Sequence, residues 1–343
     1  MQTEAPRISA EEALKFKDLF DRMVQNVGVA ILGKEEPIRL ALTCLLSGGH
    51  LLLEDYPGTG KTSLAKAIAQ IVDGRSGRIQ FTPDLLPADV TGVHVYDQEK
   101  RSFEFLAGPI FNEIVLADEI NRASPKTQSA LLQVMEEAKV TVDGETHELQ
   151  SPFMVIATQN PVEHAGTYPL PEAQLDRFLM KIALGYPDRE SLVELLAAAE
   201  VRDRSATVNR VVSSYAVSEL IRAADLVTVR WGCLDYVGRI AEATRNHEHI
   251  QLGVSPRGCL ALVRCAKTWA ISQGRNFVLP DDIDRLALPV LAHRVTLKPE
   301  ARFDGAAGTT PGTGHSFGAG STSAAASQLL ERVLRSVPPP VDR

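Results

Sequence analysis

The segment Leu51–Ala69 reads LLLEDYPGTGKTSLAKAIA and constrains the fold more than any other part of the sequence. Its three leucines predict a short buried strand, and its last third has apolar residues at helical spacing. Between them lies a loop with two glycines, followed by Lys61 and a threonine. A strand, a glycine loop and a helix in this order place successive backbone N–H groups around a phosphate. The segment therefore predicts an α/β domain that binds a nucleotide.

The expected phosphate cradle runs from the end of the strand into the first turn of the helix. Lys61 would reach the β- and γ-phosphate oxygens, and the Thr62 hydroxyl would ligate Mg²⁺. The usual pattern has glycine where this chain has Asp55. Because that position ends the strand, we expect it to leave the phosphate-facing N–H groups undisturbed. The predicted nucleotide-binding residues of this segment are Asp55, Tyr56, Pro57, Gly58, Thr59, Gly60, Lys61, Thr62 and Ser63.

A second apolar run, at residues 114–117, ends in two acidic residues. Asp118 is predicted to orient Mg²⁺ through its water shell, and Glu119 to polarise the attacking water. The alternative is that both are solvated acids at the end of a strand. Together with the phosphate cradle, the pair predicts hydrolysis of a bound nucleotide.

The composition is that of a globular protein with room for two domains. The chain has 343 residues, of which 44% are hydrophobic and 23% charged. Its net charge of −7 argues against non-specific nucleic-acid binding, although a local basic pore stays possible. We expect a cytoplasmic protein without membrane insertion, because no signal-peptide pattern and no run of 18 apolar residues occurs. The cysteines lack CxxC spacing and are predicted to be reduced.

Strands and helices alternate up to residue 186, which predicts a parallel sheet buried on both faces. A helix over residues 9–27, capped by Ser9 and Glu12, should precede it. Two hairpins are predicted, one around the turn 97–101 and one over Lys139–Leu149 with its turn at Asp143 and Gly144. The hairpins could face a pore or a partner, or they could extend the edge of the sheet. The predicted strands are 51–54, 78–81, 114–117, 153–158 and 179–184.

The remaining sequence is helical in pattern. Residues 187–302 and 328–343 are predicted to form an all-α domain, interrupted at 303–327 by a flexible Gly/Ala/Ser/Thr-rich loop. His247 and His249 lie near the end of one predicted helix and are interpreted as surface residues on different helix faces.

Four further segments resemble the MoxR family of the AAA+ superfamily. They are RIQFTPDLLPADVTG (78–92), LADEINRASPKTQSALLQVMEE (116–137), ATQNPVEHAGTYPLPEAQLDRF (157–178) and GVSPRG (253–258). The resemblance implies an AAA+ P-loop sheet of strand order 5-1-4-3-2, flanked by helices over residues 1–186 and followed by an all-α lid. It also implies ATP and Mg²⁺ as ligands.

The resemblance adds site residues beyond the phosphate cradle. Asn160 resembles sensor 1, although it could simply form a turn before proline. Arg177 resembles the arginine finger that serves the neighbouring subunit, although it could form a surface ion pair. Arg257 resembles sensor 2, which would reach the phosphates from the lid, although the stretch around it is also a good helix start. The adenine is expected against Ile31, Leu32 and Gly33, or these residues belong to the core.

The implied function is a hexameric ring ATPase that remodels or activates a protein client. The family resemblance suggests a client with a von Willebrand factor A domain. Two alternatives stay open at this point. One is a nucleic-acid translocase, and the other is a nucleotide-switched binding scaffold with negligible turnover.

Overall fold

The computed structural model describes residues 7–56, 58–160, 167–197, 204–304 and 321–340. Pro57 and most of the predicted loop 303–327 lie outside the described residues. The first part of the chain contains α1 (Ala10–Ala30), α2 (Glu35–Leu46), β1 (Leu51–Glu54), α3 (Lys61–Ile71), β2 (Val72–Asp73), β3 (Ser76–Gln80), α4 (Pro87–Thr91), β4 (Gly92–Asp97), β5 (Ser102–Ala107), β6 (Ile114–Asp118), α5 (Pro125–Glu137), β7 (Lys139–Val142), β8 (Glu145–Glu148), β9 (Met154–Gln159), α6 (Glu172–Leu175) and β10 (Met180–Ile182).

The second part is mainly helical, as the sequence predicts, but it also contains short strands. Its elements are α7 (Arg189–Ala197), β11 (Val212–Ser213), α8 (Ser214–Asp225), α9 (Trp231–Arg245), β12 (Ile250–Leu252), α10 (Pro256–Ser272), α11 (Pro280–Leu291), β13 (Thr296–Leu297), α12 (Pro299–Asp304) and α13 (Ser321–Ser336). Strands β12 and β13 pair antiparallel within this helical part.

Five parallel strands form the central sheet in the order β10-β1-β9-β6-β3. In chain order this is 5-1-4-3-2, so the predicted topology is confirmed. Strands β1 and β6 are buried along their whole length, because helices cover both faces of the sheet. Side chains alternate between the two faces, so Leu51 and Leu53 pack in one hydrophobic cluster and Leu52 in the other.

The cluster that contains Leu51 continues from the sheet into the helical part. It includes Met180 of β10 as well as Leu286 and Val290 of α11. Helix α1 begins with the predicted capping box of Ser9 and Glu12 and contacts α2, α3 and α10. The N-terminal helix therefore packs against both parts of the chain, because its buried face is part of the same cluster.

Both predicted hairpins are present. Strands β4 and β5 pair antiparallel and form hairpin 1, and β7 and β8 pair antiparallel and form hairpin 2. Each is a separate two-stranded sheet in the part of the chain that the structure describes, so neither extends the edge of the central sheet. The extension alternative is therefore wrong.

Two details of the helical part differ from the predictions. Helix α13 begins at Ser321, so the last seven residues of the predicted loop are helical rather than linker. Helix α9 ends at Arg245, so His247 and His249 follow the helix in a turn, where their rings approach to 5.6 Å. Among the described helices, none combines the length and apolar character needed to cross a membrane.

Candidate nucleotide-binding and catalytic site

The phosphate cradle lies between the end of β1 and the start of α3. Gly58 and Gly60 have φ values of +81° and +94°, which favour glycine because other residues rarely adopt them. A Cβ atom built at either position would have no other atom within 4 Å. The glycines are therefore required by the backbone conformation and not by steric crowding. Gly60 is also the N-cap of α3, whose first N–H groups have no side-chain cap. These features fit an anion at the helix N-terminus.

Asp55 turns away from the phosphate cradle and joins it to the end of the sheet. Its carboxylate oxygen Oδ2 accepts hydrogen bonds from the backbone N–H groups of Leu184 and Gly185, at 2.9 and 2.6 Å. The other oxygen accepts from the Tyr56 N–H at 2.8 Å. Asp55 is 3% exposed, so these bonds are shielded from water. The residue that departs from the glycine pattern is a tertiary link between β1 and the segment leading into the helical part.

The segment after β10 also contacts the predicted adenine-binding residues. The ammonium of Lys34 donates to the Tyr186 carbonyl at 2.6 Å. Burial lowers the pKa of Lys34, while the charge of Asp55 opposes that shift. The ring of Tyr186 stacks on Tyr56 at 6.0 Å between centroids. Gly33 has φ +66°, and a Cβ there would collide with Ser191. The phosphate loop, the segment after α1 and the start of α7 therefore meet in one place.

Ile31, Leu32 and Gly33 line a cavity of about 590 Å³ between α1 and α2. The described residues of the phosphate loop do not line it. Ile31 is buried and belongs to the hydrophobic core, whereas Gly33 is exposed. The structure thus agrees with the core alternative for Ile31, and the adenine assignment stays a prediction.

Asp118 ends β6 and is held from both sides. Its Oδ1 accepts from the Thr158 hydroxyl at 3.2 Å and from the Thr62 hydroxyl at 3.4 Å. Its Oδ2 forms an ion pair with Arg78 of β3 at 2.8 Å. The two predicted Mg²⁺ ligands, Thr62 and Asp118, are therefore adjacent across the mouth of the cradle.

Glu119 has a left-handed backbone conformation, with φ +58°, immediately after the strand. Such a conformation is costly for a residue with a Cβ atom and is concentrated at functional sites. Its N–H donates to the Thr158 hydroxyl at 2.9 Å, and its side chain contacts Gln80 at 3.0 Å and Arg122 at 3.2 Å. The Glu119 side chain is 37% exposed and thus accessible to a solvent molecule.

Lys61 and Asn160 complete the group at this edge of the sheet. The Lys61 ammonium donates to the carbonyls of Asp55 and Gln159. Asn160 is 8% exposed and follows β9 directly. Because β1, β6 and β9 are parallel neighbours, their carboxyl ends bring Lys61, Asp118, Glu119 and Asn160 to one edge of the sheet.

Arg177 and Arg257 lie in a different place. Both form ion pairs with Glu136 of α5, at 3.0 and 3.1 Å, and Arg257 also lies 3.7 Å from Asp176. They line a cavity of about 590 Å³, here called the arginine cleft, with Arg264, Lys267 and Arg294. None of the described phosphate-loop residues lines this cleft. The start of α10 lies against α5, and no described contact joins Arg257 to the cradle, so its assignment as sensor 2 stays a prediction.

The floor of the arginine cleft is a polar contact between the sheet and the helical part. Arg294 is 3% exposed in its side chain and pairs with Asp176 at 2.7 Å, while it also donates to the Phe178 carbonyl at 2.9 Å. Burial lowers the pKa of Arg294, and the Asp176 carboxylate opposes that shift. These contacts fix the position of Arg177, which lies between the two anchored residues.

Sequence reasoning missed several residues that hold this site. Thr158 positions both acids, Arg78 pairs with Asp118, and Glu136 joins the two arginines. Thr158 and Arg78 lie within the segments that carry the family resemblance, but only their tertiary contacts reveal a role. Glu136 lies within the segment that carries the family resemblance, but a glutamate near a helix end carries no specific signal.

Comparison with known proteins agrees with this geometry. The family described as "ATPase family associated with various cellular activities (AAA)" matches residues 50–180, and the AAA lid domain matches residues 242–311. A crystal structure from Cytophaga hutchinsonii, assigned as an ATPase, superposes with a TM-score of 0.83 at 38% identity and covers 96% of this chain and 97% of its own.

Curated relatives extend the match over most of the chain. The chain is 40% identical to Chaperone MoxR1 of Mycobacterium tuberculosis, over 88% of this chain and 82% of that protein. It is 34% identical to Protein MoxR of Paracoccus denitrificans, over 78% and 86%, and 48% identical to the uncharacterised YeaC of Bacillus subtilis, over 84% and 90%. With its phosphate loop, strand-end acids and lid, the chain therefore belongs to the MoxR family of AAA+ ATPases.

Proposed function

We propose that this protein hydrolyses ATP with Mg²⁺ in a homo-oligomeric ring, with each catalytic centre shared between two subunits. The observation that carries the proposal is the separation of two groups of residues. The phosphate cradle and its acids lie at the edge of the sheet, whereas Arg177 and Arg257 lie together in the arginine cleft. A ring in which the cleft of one subunit faces the cradle of the next would unite them.

Within one subunit, the residues at the cradle would bind ATP and activate water. The N–H groups from Gly58 to Thr62 and the Lys61 ammonium would hold the phosphates. Glu119 would accept a proton from the attacking water, and Asn160 would help to hold that water in place. Thr62 and Asp118 would hold Mg²⁺, which supplies neutralisation of charge on the phosphate oxygens when bound.

Arg177 and Arg257 would act on the neighbouring nucleotide. Their side chains are partly exposed, at 27% and 50%, and share one glutamate, so a change of partner would require only local movement. Arg177 would stabilise charge that develops during phosphoryl transfer. Arg257 belongs to the lid and would report the state of the neighbouring nucleotide to it.

ATP hydrolysis would drive the remodelling or activation of a protein client. The relative named Chaperone MoxR1 and the family membership support this class of function. The chain is acidic overall, which does not favour a nucleic-acid track. A hexameric assembly and a client with a von Willebrand factor A domain are the specific forms that we propose.

The Glu119→Gln variant tests the proposal directly. It should bind ATP with little change in affinity, while phosphate release falls roughly a hundredfold or more, because the general base is lost. Unchanged turnover would reject Glu119 as the base. Negligible turnover by the unmodified protein, with ATP bound, would instead favour the nucleotide-switched scaffold, and stimulation by DNA that disappears at high salt would favour the translocase.

The same variant can capture the client. In the ATP state it should retain a bound protein, which is then identified by mass spectrometry, whereas Lys61→Ala should bind neither ATP nor client. Equal capture by the two variants would mean that the interaction does not depend on ATP.

A further inference from the structure

A cluster of histidines and carboxylates joins the two hairpins and belongs to no part of the nucleotide site. His94 lies on β4 of hairpin 1, and Glu145 and His147 lie on β8 of hairpin 2. Glu145 and His147 are two residues apart on one strand, so they face the same side. One ring nitrogen of each histidine and one oxygen of Glu145 lie within 4.8 Å of one another.

The His94 ring is oriented as a metal ligand would be. Its Nδ1 lies 3.0 Å from the Asp143 carboxylate, and its Nε2 lies 3.6 Å from an oxygen of Glu145. In metal sites, a carboxylate commonly holds the ring nitrogen that does not bind the ion. Two ligand atoms around a tetrahedral Zn²⁺, with bonds of about 2.0–2.1 Å, are separated by about 3.4 Å. Only small movements are needed for His94 and Glu145 to share an ion.

The His147 ring is held by aromatic neighbours rather than by hydrogen bonds. It stacks on Phe105 at 4.0 Å with an interplanar angle of 9°, and Phe111 lies edge-on at 6.2 Å. Its Nε2 is buried and has no hydrogen-bond partner among the described residues. A buried polar atom without a hydrogen-bond partner is unfavourable, so this ring nitrogen is available to bind an ion.

We propose that His94, Glu145 and His147 bind a divalent transition-metal ion of the Zn²⁺ class, with Asp143 as the outer carboxylate that orients His94. Two imidazoles and one carboxylate are a ligand set for zinc, whereas Mg²⁺ and Ca²⁺ prefer sets of oxygen atoms. Glu145 and Asp143 are 71% and 73% exposed, so the ion can enter from solvent. The ion would tie hairpin 1 to hairpin 2 and fix their relative orientation.

Zinc binding to the tag-free full chain tests this inference independently of ATP hydrolysis. Zn²⁺ is titrated in excess Mg²⁺ against a competing chelator, and Co²⁺ is used as a spectroscopic probe. We expect one equivalent per chain and a tetrahedral Co²⁺ spectrum without a thiolate charge-transfer band. His94→Gln and Glu145→Gln should each weaken binding at least tenfold, and Asp143→Asn about 10- to 100-fold. Zn²⁺ should also raise the Tm of the wild type but not of His94→Gln.

The double variant His247→Ala, His249→Ala is the matched control, because these two rings also lie close together on this chain. It should bind zinc like the wild type. Three results would each overturn the proposal. They are loss of zinc binding in this double variant, unchanged zinc affinity in Glu145→Gln, and no tightly bound Zn²⁺ in the wild type. The last result would mean that His94 only contacts the Asp143 and Glu145 carboxylates and binds no ion. Because Glu145 is exposed, Glu145→Gln keeps the test valid if His94→Gln folds poorly.

Discussion

The phosphate cradle and the arginine cleft differ in the charged groups that they contain. At the cradle, backbone N–H groups and Lys61 lie beside the acids Asp118 and Glu119, with Thr158 between the acids. In the cleft, Arg177 and Arg257 have only Glu136 and Asp176 as ion-pair partners among the described contacts.

The cradle has the groups that we propose for binding ATP and activating water. The cleft offers positive charge, and none of the described phosphate-loop residues lines it. The proposed catalytic centre would therefore need both regions, from two neighbouring subunits.

The largest effect is expected for Arg177→Ala. ATP hydrolysis should fall by roughly a thousandfold or more, because the group that stabilises charge in the transition state is lost. ATP affinity should change little, since the cradle is intact. Turnover is measured by phosphate release and affinity by a fluorescent nucleotide. A large loss of affinity with normal turnover at saturation would place Arg177 in ground-state binding and reject its role as an arginine finger. Arg222→Ala, which removes an exposed arginine paired at 2.7 Å with Glu219 outside both regions, is the control.

Asp55→Gly restores the usual glycine pattern and tests what the cradle requires. We expect no gain in ATP affinity, because the carboxylate does not face the phosphates. The variant should lose about 2–3 kcal/mol of unfolding free energy, since buried N–H groups lose a charged acceptor. Urea unfolding gives the stability, and nucleotide titration gives the affinity. Asp55→Asn, which keeps one acceptor oxygen, should lose less. Tighter ATP binding by Asp55→Gly would show that the carboxylate hinders the cradle.

Lowering the pH should reduce the free energy of unfolding through His50, which lies beside the arginine cleft. This residue lines the cleft and is buried, and its Nδ1 accepts from the Val155 N–H at 3.0 Å, while Nε2 lies 3.0 Å from the Met135 carbonyl. Burial lowers the pKa of His50 from 6.5 to about 4. The unfolded chain therefore binds a proton between these values and the folded chain does not, so stability falls as the pH falls.

At pH 5 this group alone should reduce the unfolding free energy by about 2 kcal/mol relative to pH 7.5. Burial also lowers the pKa of His293, which adds a loss of the same sign. Urea unfolding at the two pH values should show a smaller pH dependence in His50→Asn than in the wild type. An equal dependence would mean that His50 does not supply it.

Much of the candidate nucleotide-binding site could be predicted from the sequence because its signals are local. The strand, the loop and the helix of the cradle are indicated by the apolar run before Asp55 and by the two glycines, and β6 is indicated by the acids at its end. The family resemblance supplied the strand order. The turn at Asp143 and Gly144 likewise predicted hairpin 2.

The arginine cleft could not be predicted in the same way, because it depends on how α10 packs against α5. The residues around Arg257 correctly predict the N-terminus of a helix, but its ion-pair partner Glu136 is 121 residues away in the sequence. The same reason applies to Asp55, whose carboxylate accepts from residues about 130 positions away. Local pattern identifies an element, whereas tertiary contacts between distant residues decide what it faces.

Mixing two inactive variants tests the central claim, that one catalytic centre is shared between subunits. Arg177→Ala subunits have an intact cradle, and Glu119→Gln subunits have an intact arginine cleft. When the two are mixed and allowed to exchange, phosphate release should rise well above that of either variant alone, because some cradles then face a complete cleft. A mixture that stays as inactive as its components, although both variants assemble together, would contradict the account.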